Sequence, residues 1–198
     1  MTAVILALVA YLIGSISFAV VVSRALALPD PRSYGSGNPG ATNVLRTGKK
    51  PAALFTLLGD SLKGTLAVVI ARHFADPNAV ELAMGAAAFA VVLGHVFPVF
   101  FGFKGGKGVS TALGVLLGLD VYLALGTAAT WIIIALFFRI SSLAAIVAAV
   151  FAPFGTLLIY HAAHPFFISV CAISALLIWR HQSNIRNLLA GTETRLGR

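Results

Sequence analysis

The chain has 198 residues, of which 59% are hydrophobic and only 10% are charged, and its mean hydropathy is +0.97. Soluble domains carry roughly 25% charged residues, so this composition excludes a soluble globular protein and indicates an integral membrane protein. Fourteen Lys and Arg against six Asp and Glu give a net charge of +8. The basic residues lie in short segments between apolar runs, which excludes a nucleic-acid-binding protein and favours membrane lipid and anionic substrates as partners.

Long apolar stretches follow one another along the chain. They cover residues 3–22, 52–71, 82–101, 109–138, 141–160 and 165–179. Since a span needs about 20 apolar residues, the stretch at 109–138 is too long for one span and short for two. Gly118-Leu119-Asp120 offers a break within it. The first stretch has no basic segment before it and no small-residue cleavage site after it, so we expect it to be retained as a span.

The basic residues decide between six and seven spans. With six spans, they divide almost evenly between the two sides of the membrane. With seven, one side carries Arg24, Arg32, Arg46, Lys49, Lys50, Lys104, Lys107, Arg139, Arg180, Arg186, Arg195 and Arg198, whereas Arg72 lies opposite and Lys63 lies within a span. The positive-inside rule therefore favours an all-α protein with seven transmembrane helices, the N-terminus outside and the C-terminus cytoplasmic. No repeat or domain boundary is visible, so residues 1–198 are expected to form a single helical bundle.

The segment at residues 94–114 places two lysines among glycines between two apolar runs. Its centre is Gly102-Phe103-Lys104-Gly105-Gly106-Lys107-Gly108, and Val-Ser-Thr-Ala then opens a helix. Glycines let backbone N–H groups approach a ligand closely, and a helix N-terminus favours anions. The spacing is close to a P-loop, but Gly108 stands where a Mg²⁺-binding hydroxyl would be. We interpret the segment as a phosphate-binding loop without nucleotide chemistry. His95, before it, is either a helix-end residue satisfied by backbone or a substrate contact.

A second polar cluster covers residues 33–50. Its glycines, Asn and Pro predict a structured turn followed by a short interfacial helix, Ala-Thr-Asn-Val-Leu-Arg. Arg46 suits bidentate phosphate recognition, with Ser36 and Asn43 as neutral hydrogen-bond partners. The alternative is a polar loop in which Arg46 only determines topology.

Two further patterns are ambiguous when taken alone. Asp60 and Lys63 lie three residues apart in the second span, so they share a helical face and can form either a structural ion pair or part of the site. Ser141 and Ser142 follow Arg139 and are placed to cap a helix.

The C-terminal segment supplies a third polar cluster. His181 and Asn184 are three residues apart and would share a face on a continuing helix, where a catalytic or ligand-binding histidine is plausible alongside a plain interfacial one. Cys171 is the sole cysteine, so an intramolecular disulfide and a Cys-based metal site are excluded, and we expect no metal or cofactor.

Together the three clusters resemble the bacterial membrane acyl-phosphate:glycerol-3-phosphate acyltransferase family, known as PlsY. The resemblance covers nearly the whole chain. Its three motifs run from Gly35-Ser36-Gly37-Asn38 through Ala41-Thr42-Asn43 to Arg46, from His95 through Lys104-Gly105-Gly106-Lys107-Gly108, and from His181-x-x-Asn184-Ile185 to Gly191-Thr192-Glu193. One position departs, because the family often has a basic residue where Asn187 stands.

The resemblance implies an enzyme that acylates position 1 of sn-glycerol 3-phosphate and releases lysophosphatidic acid and phosphate, the first step of phospholipid synthesis. It implies catalytic roles for His181, Asn184, Lys104 and Ser142. It implies that Ser36, Asn43, Arg46 and Glu193 bind glycerol 3-phosphate, and that Gly105, Gly106, Lys107 and Gly108 bind acyl phosphate. The implied setting is the bacterial inner membrane, with the site facing the cytoplasm and an upstream acyltransferase supplying acyl phosphate.

The chemistry can also be argued from the residues. An acyl phosphate is a mixed anhydride with a good leaving group, so positioning and preorganised donors suffice without a covalent nucleophile. Either neutral His181 takes the hydroxyl proton, or a substrate phosphate oxygen does so while His181 and Asn184 orient it. The rival classes are a transporter for a phosphorylated solute, which would be expected to show paired broken helices near the midplane, and a non-catalytic lipid-headgroup binder.

Overall fold

The computed structural model describes residues 2–196, and Arg198 of the charge argument lies outside that range. The helices of these residues are α1 (Ala3–Gly14), α2 (Phe18–Ala25), α3 (Ala41–Leu45), α4 (Lys50–Phe74), α5 (Val80–Val96), α6 (Val109–Leu119), α7 (Val121–Phe138), α8 (Ser141–Ile159), α9 (Pro165–Arg180) and α10 (Gln182–Leu189). Short 3-10 turns at Pro77–Ala79 and Val99–Phe101 flank α5. The short helix expected after the first polar turn is thus confirmed as α3.

Five helical segments in the described range are long and apolar enough to cross a membrane. They are α1 together with α2, α4, α5 with its flanking turns, α7 and α8. A sixth candidate arises if α9 and α10, which are bent by 57° at their junction, form one broken span. The chain is therefore an all-helical integral membrane protein with several spans. Because α6 has 11 residues, it is shorter than a bilayer is thick, and the count of seven spans stays a prediction.

Helix α5 lies at the centre of the bundle and packs against α1, α4 and α9, while α6 packs against α4. These contacts depend on small residues. A Cβ added at Gly94 of α5 would lie 2.2 Å from the Tyr11 carbonyl oxygen, and one added at Gly114 of α6 would lie 1.8 Å from that of Ser61. Since association of helices within a bilayer depends on close packing, these glycines set the two interfaces that carry the polar loop between α5 and α6.

The predicted break near Gly118-Leu119-Asp120 is confirmed. Helix α6 ends at Leu119, and Asp120 has an extended backbone before α7 begins. The Asp120 carboxylate accepts a hydrogen bond from the Leu123 N–H at 2.9 Å, which caps α7. The apolar stretch at residues 109–138 therefore forms two helices, and the Asp120 cap marks the beginning of the second.

A break in the first apolar stretch was not predicted. Helix α1 ends at Gly14 and α2 begins at Phe18. Lys63 of α4 donates to the freed Ile16 carbonyl at 2.6 Å, and the Ser15 hydroxyl accepts from the Val99 N–H at 3.3 Å. Backbone groups exposed by a break inside a membrane protein must find partners. Lys63 provides one for the Ile16 carbonyl, and the Ser15 hydroxyl in turn satisfies the Val99 N–H of a distant turn.

Candidate active site

The glycine loop, residues 102–108, leads from the end of α5 into α6. Gly102 and Gly108 have φ values of 62° and 89°, the left-handed region that favours glycine, whereas Gly105 and Gly106 do not. Glycine is required at positions 105 and 106 because a side chain at either would collide with His95. A Cβ at Gly105 would lie 2.1 Å from the His95 carbonyl oxygen, and one at Gly106 would lie 2.2 Å from His95 Nε2.

Backbone donors of the glycine loop divide into two groups. The Gly106 N–H donates to the His95 carbonyl at 3.2 Å and so holds the loop to α5. The N–H groups of Lys107, Gly108 and the first three residues of α6 have no protein acceptor within residues 2–196. Arg180 donates to the Gly105 carbonyl at 3.3 Å from the other side. The loop is therefore anchored at Gly105 and Gly106 and presents free donors beside a helix N-terminus, an arrangement that suits an anion.

A chain of hydrogen bonds joins the glycine loop to the C-terminal segment. Lys107 Nζ donates to Asn184 Oδ1. Asn184 Nδ2 donates to Glu193 Oε1 at 2.7 Å, and the Ser142 hydroxyl donates to the same oxygen at 2.8 Å. Residues from α8, α10 and two separate loops thus converge at one place.

The serines at the start of α8 do not cap it. Helix α8 has no side-chain cap at its N-terminus. Ser142 instead reaches Glu193, and Ser141 Oγ lies 3.3 Å from Thr42 Oγ1 on α3. The capping interpretation is therefore wrong, because both hydroxyls find partners on segments that the sequence does not place beside them.

His181 lies at the junction of α9 and α10 and is 3% exposed. Its Nδ1 is 2.7 Å from the Leu177 carbonyl oxygen, and because a carbonyl can only accept, Nδ1 carries the proton. Nε2 has no protein partner in the described part of the chain, so it is the acceptor of the neutral ring. The sequence predicted that His181 and Asn184 lie on one continuing helix. The chain instead bends by 57° between α9 and α10, so the two residues lie on either side of a change in direction.

The turn before α3 is organised by Asn43. Its Nδ2 donates to the Pro31 and Tyr34 carbonyls at 2.7 and 3.2 Å, and its Oδ1 accepts from the Ser36 N–H at 3.0 Å. The side chain is 2% exposed. Asn43 therefore supports the backbone that presents Ser36, and these contacts occupy the amide that was predicted to bind substrate.

Arg46 ends α3 and is exposed. Its guanidinium lies beside Gly35, where a Cβ would be 3.0 Å from Nη1. No ion pair holds its side chain among the described residues. Lys104 is likewise exposed and has no side-chain partner there. The structure thus joins Lys107, Asn184, Glu193 and Ser142 by direct contacts. Among the described residues, the side-chain cations of Arg46 and Lys104 have no partner, and the Ser36 hydroxyl accepts a long bond from the Asn38 N–H at 3.4 Å.

Positive charge dominates the cluster. Burial lowers the pKa of Lys107 from its ordinary value, and repulsion from Arg180 and Arg46 lowers it further, while attraction to Glu193 opposes both. Neighbouring cations destabilise one another, and a bound anion would stabilise them. Within residues 2–196, no group of three or more His, Cys, Asp or Glu could hold a metal ion.

The second-span pair is confirmed. Lys63 Nζ lies 2.9 Å from Asp60 Oδ1, and both side chains are 3% exposed. His95 of α5 extends the pair, since its Nδ1 lies 3.5 Å from the same oxygen and 3.1 Å from the Thr111 hydroxyl of α6. Sequence reasoning did not join His95 to this pair, because the three residues lie on two helices whose packing it could not predict.

Comparison with known proteins agrees with this arrangement. The family model described as glycerol-3-phosphate acyltransferase matches residues 4–191. Glycerol-3-phosphate acyltransferases of Burkholderia ambifaria and Burkholderia vietnamiensis are 61% and 60% identical over 192 residues, which is 96% of this chain and 89% of each relative.

Two crystal structures of PlsY (YgiH), an integral membrane glycerol 3-phosphate acyltransferase, are 40% identical to this chain. The glycerol 3-phosphate form has a TM-score of 0.91 and covers 98% of this chain and 96% of that one. The lysophosphatidic acid form has a TM-score of 0.88 and covers 98% and 95%. A match of this extent to both a family model and solved structures leaves neither a transporter nor a headgroup binder in contention. The chain therefore belongs to the glycerol-3-phosphate acyltransferase family of integral membrane enzymes.

Proposed function

We propose that the enzyme transfers a fatty acyl group from acyl phosphate to position 1 of sn-glycerol 3-phosphate, giving lysophosphatidic acid and phosphate. The observation that carries the choice of donor is the glycine loop. It offers N–H groups at Lys107 and Gly108 that have no acceptor among residues 2–196, in the same loop as the Lys107 ammonium. A small tetrahedral anion suits such a loop, and acyl phosphate carries one directly on the reacting carbonyl.

The reaction needs no covalent intermediate. The hydroxyl oxygen of glycerol 3-phosphate attacks the acyl carbonyl carbon, and a new ester C–O bond forms. The bond from that carbon to the phosphate oxygen breaks, and phosphate leaves with the electron pair. The hydroxyl proton passes to a base. The protein's part is to hold two anions together and to stabilise the developing charge.

In this scheme the glycine loop from Gly105 to Gly108 holds the acyl phosphate. Ser36, Arg46 and Glu193 bind glycerol 3-phosphate, and Asn43 shapes that subsite through the Ser36 backbone. The exposed guanidinium of Arg46 supports the assignment, because an unpaired fork is available for a phosphate. Glu193 accepts hydrogen bonds from Ser142 and Asn184, so a glycerol hydroxyl can bind among three polar groups that are already in place.

The catalytic group comprises His181, Asn184, Ser142 and Lys104. Free Nε2 of His181 can accept the hydroxyl proton, which favours His181 as the base. Substrate-assisted transfer to a phosphate oxygen is the second candidate, and Asn184 favours it, since this amide is bonded to Lys107 and can orient a phosphate beside the loop. Lys104 is exposed and has no side-chain partner in the described part of the chain, so it can turn toward either phosphate.

We also propose the seven-span topology, with the N-terminus outside and the three motifs on the cytoplasmic side of the bacterial inner membrane. The short α6 would then be a span shielded by its neighbours. Support comes from the charge distribution and from the convergence of all three motifs at one end of the helices. Residues 1–198 would form one bundle, and a separate acyltransferase would supply the acyl phosphate.

The direct test uses purified protein in lipid vesicles with acyl phosphate and glycerol 3-phosphate. Release of inorganic phosphate and formation of lysophosphatidic acid in equal amounts are expected, with acyl-CoA as a poor donor. Turnover of acyl-CoA at the rate of acyl phosphate would contradict the proposed donor, while leaving membership of the acyltransferase family untouched.

A further inference from the structure

A buried ionic cluster, formed by Asp60, Lys63 and His95, lies directly behind the glycine loop. Asp60 Oδ1 is 2.9 Å from Lys63 Nζ and 3.5 Å from His95 Nδ1. The three residues are 2%, 3% and 7% exposed. Ionisable groups within a transmembrane bundle are costly and are retained where they serve function, yet none of the three has a place in the reaction described above.

His95 connects this ionic cluster to the glycine loop at two points. Its backbone carbonyl accepts the Gly106 N–H at 3.2 Å. Its ring edge packs against the same glycine, since a Cβ at Gly106 would lie 2.2 Å from Nε2 and 3.0 Å from Cε1. The loop backbone therefore rests on the imidazole, and rotation of the ring would remove the surface that supports it.

Two neighbours fix the orientation of that ring. Nδ1 faces the Asp60 carboxylate and also lies 3.1 Å from Thr111 Oγ1, and Thr111 is fully buried. The Thr111 hydroxyl is within hydrogen-bond distance of Nδ1, whereas the Asp60 carboxylate at 3.5 Å is a longer, electrostatic contact. Lys63 neutralises Asp60 and bonds to the Ile16 carbonyl, which holds the carboxylate in place. The ring thus has one preferred orientation, with Nε2 toward Gly106.

We propose that Asp60 and Thr111 are positioning residues that act through His95: they hold its ring, and the ring sets the position of the glycine loop for the phosphate of the acyl donor. The proposal rests on the proposed function in assigning this loop to acyl phosphate. None of these residues touches the reacting atoms. Asp60, Thr111 and His95 act by fixing the position of the N–H groups of Lys107 and Gly108.

The bundle offers a matched comparison. Thr65 of α4 donates to the Gly114 carbonyl of α6 at 2.7 Å, so it also ties helices together through a threonine hydroxyl, but it does not touch His95 or the loop. Val is close in shape to Thr and removes only the hydroxyl at either position. Thr111→Val and Thr65→Val therefore remove one interhelical hydrogen bond each, and the first also frees the His95 ring.

The experiment measures kcat and the KM for each substrate in lipid vesicles, together with thermal unfolding in detergent. Thr111→Val should raise the KM for acyl phosphate by about tenfold, because misplacing a binding group by about 1 Å can cost on the order of 10² and loss of one supporting bond should move the loop by less. The KM for glycerol 3-phosphate should stay within about twofold. Thr65→Val should leave both KM values within about twofold, whatever it does to the unfolding temperature.

A second pair of variants keeps the test independent of Thr111. His95→Gln retains an amide that can donate toward Asp60, and it should recover part of the acyl-phosphate affinity lost in His95→Leu. An equal rise of the acyl-phosphate KM in Thr65→Val and Thr111→Val would overturn the proposal, since general packing would then explain both. Equal affinity in His95→Gln and His95→Leu would overturn it too. A rise confined to glycerol 3-phosphate would support positioning by His95 and would instead contradict the assignment of the loop to the acyl donor.

Discussion

The ammonium of Lys107 donates a hydrogen bond to the side-chain oxygen of Asn184, 77 residues further along the chain. This bond joins the glycine loop to the C-terminal motif. It places a cation of the proposed acyl-phosphate subsite against a residue of the proposed catalytic group, so that the two phosphorylated substrates would meet where the two motifs meet.

Lys107 should therefore determine the alkaline limit of substrate binding. Its pKa is lowered by burial and then by Arg180 and Arg46, so deprotonation begins below the ordinary lysine range and removes a positive charge from the site. The KM for acyl phosphate should rise as pH increases through that pKa. Lys107→Arg should move the rise to higher pH, because guanidinium does not titrate in this range. A KM–pH profile that is identical in the two proteins would contradict this role.

Arg46→Lys should raise the KM for glycerol 3-phosphate, because a point charge cannot reproduce the planar fork. Loss of one charge-assisted bond costs about 1.5 to 3 kcal/mol, or roughly ten- to a hundredfold in KM. Steady-state kinetics at saturating acyl phosphate measures it, and Lys49→Arg, an exposed basic position on the neighbouring turn, is the control. If Arg46→Lys has the same KM for glycerol 3-phosphate as the wild type, Arg46 does not bind this substrate and only helps to determine the membrane topology.

His181→Ala should lower kcat by roughly 10² to 10⁴ if the ring is the base, and Asn184→Ala should also lower turnover. His181→Gln separates the two candidates for the base. Gln can donate to the Leu177 carbonyl or orient a substrate, but it cannot take up a proton. Substantial turnover by His181→Gln would favour transfer to a substrate phosphate, whereas loss matching that of His181→Ala would favour His181. Thermal unfolding should be compared in each variant, since His181 is buried.

The topology is tested by single cysteines in a Cys171→Ala background. Lys49→Cys lies at an exposed position just after the first motif, Thr192→Cys at an exposed position of the third motif, and Asn78→Cys in an exposed turn before α5. An impermeant thiol reagent applied to intact cells should label Asn78→Cys alone. Labelling of Lys49→Cys or Thr192→Cys from outside would overturn the proposed orientation.

Local patterns predicted the features that local chemistry determines. The break before Asp120 follows from a capping carboxylate inside an apolar run, α3 follows from a turn and a short amphipathic segment, and the Asp60–Lys63 pair follows from helical spacing. The break in the first span gave no such signal, because Lys63 of another helix satisfies the Ile16 carbonyl.

The glycine loop shows the same limit. Gly106 is predicted to bind acyl phosphate, and the structure adds that its missing Cβ makes room for the His95 ring. Gly106→Ala would thus disturb packing whether or not an anion binds there. The sequence also could not show which of the two lysines, Lys104 or Lys107, points into the site. The direction of each lysine follows from the path of the loop, which includes left-handed backbone at Gly102 and Phe103.

The bond from Glu193 to Ser142 also bears on the order in which the site is assembled. Glu193 follows α10, and Ser142 lies in the first turn of α8. The Leu196 N–H bonds to the Arg139 carbonyl at 2.6 Å, just before the same helix. The segment after α10 therefore docks where α7 meets α8, so this part of the site forms after those two helices have packed together.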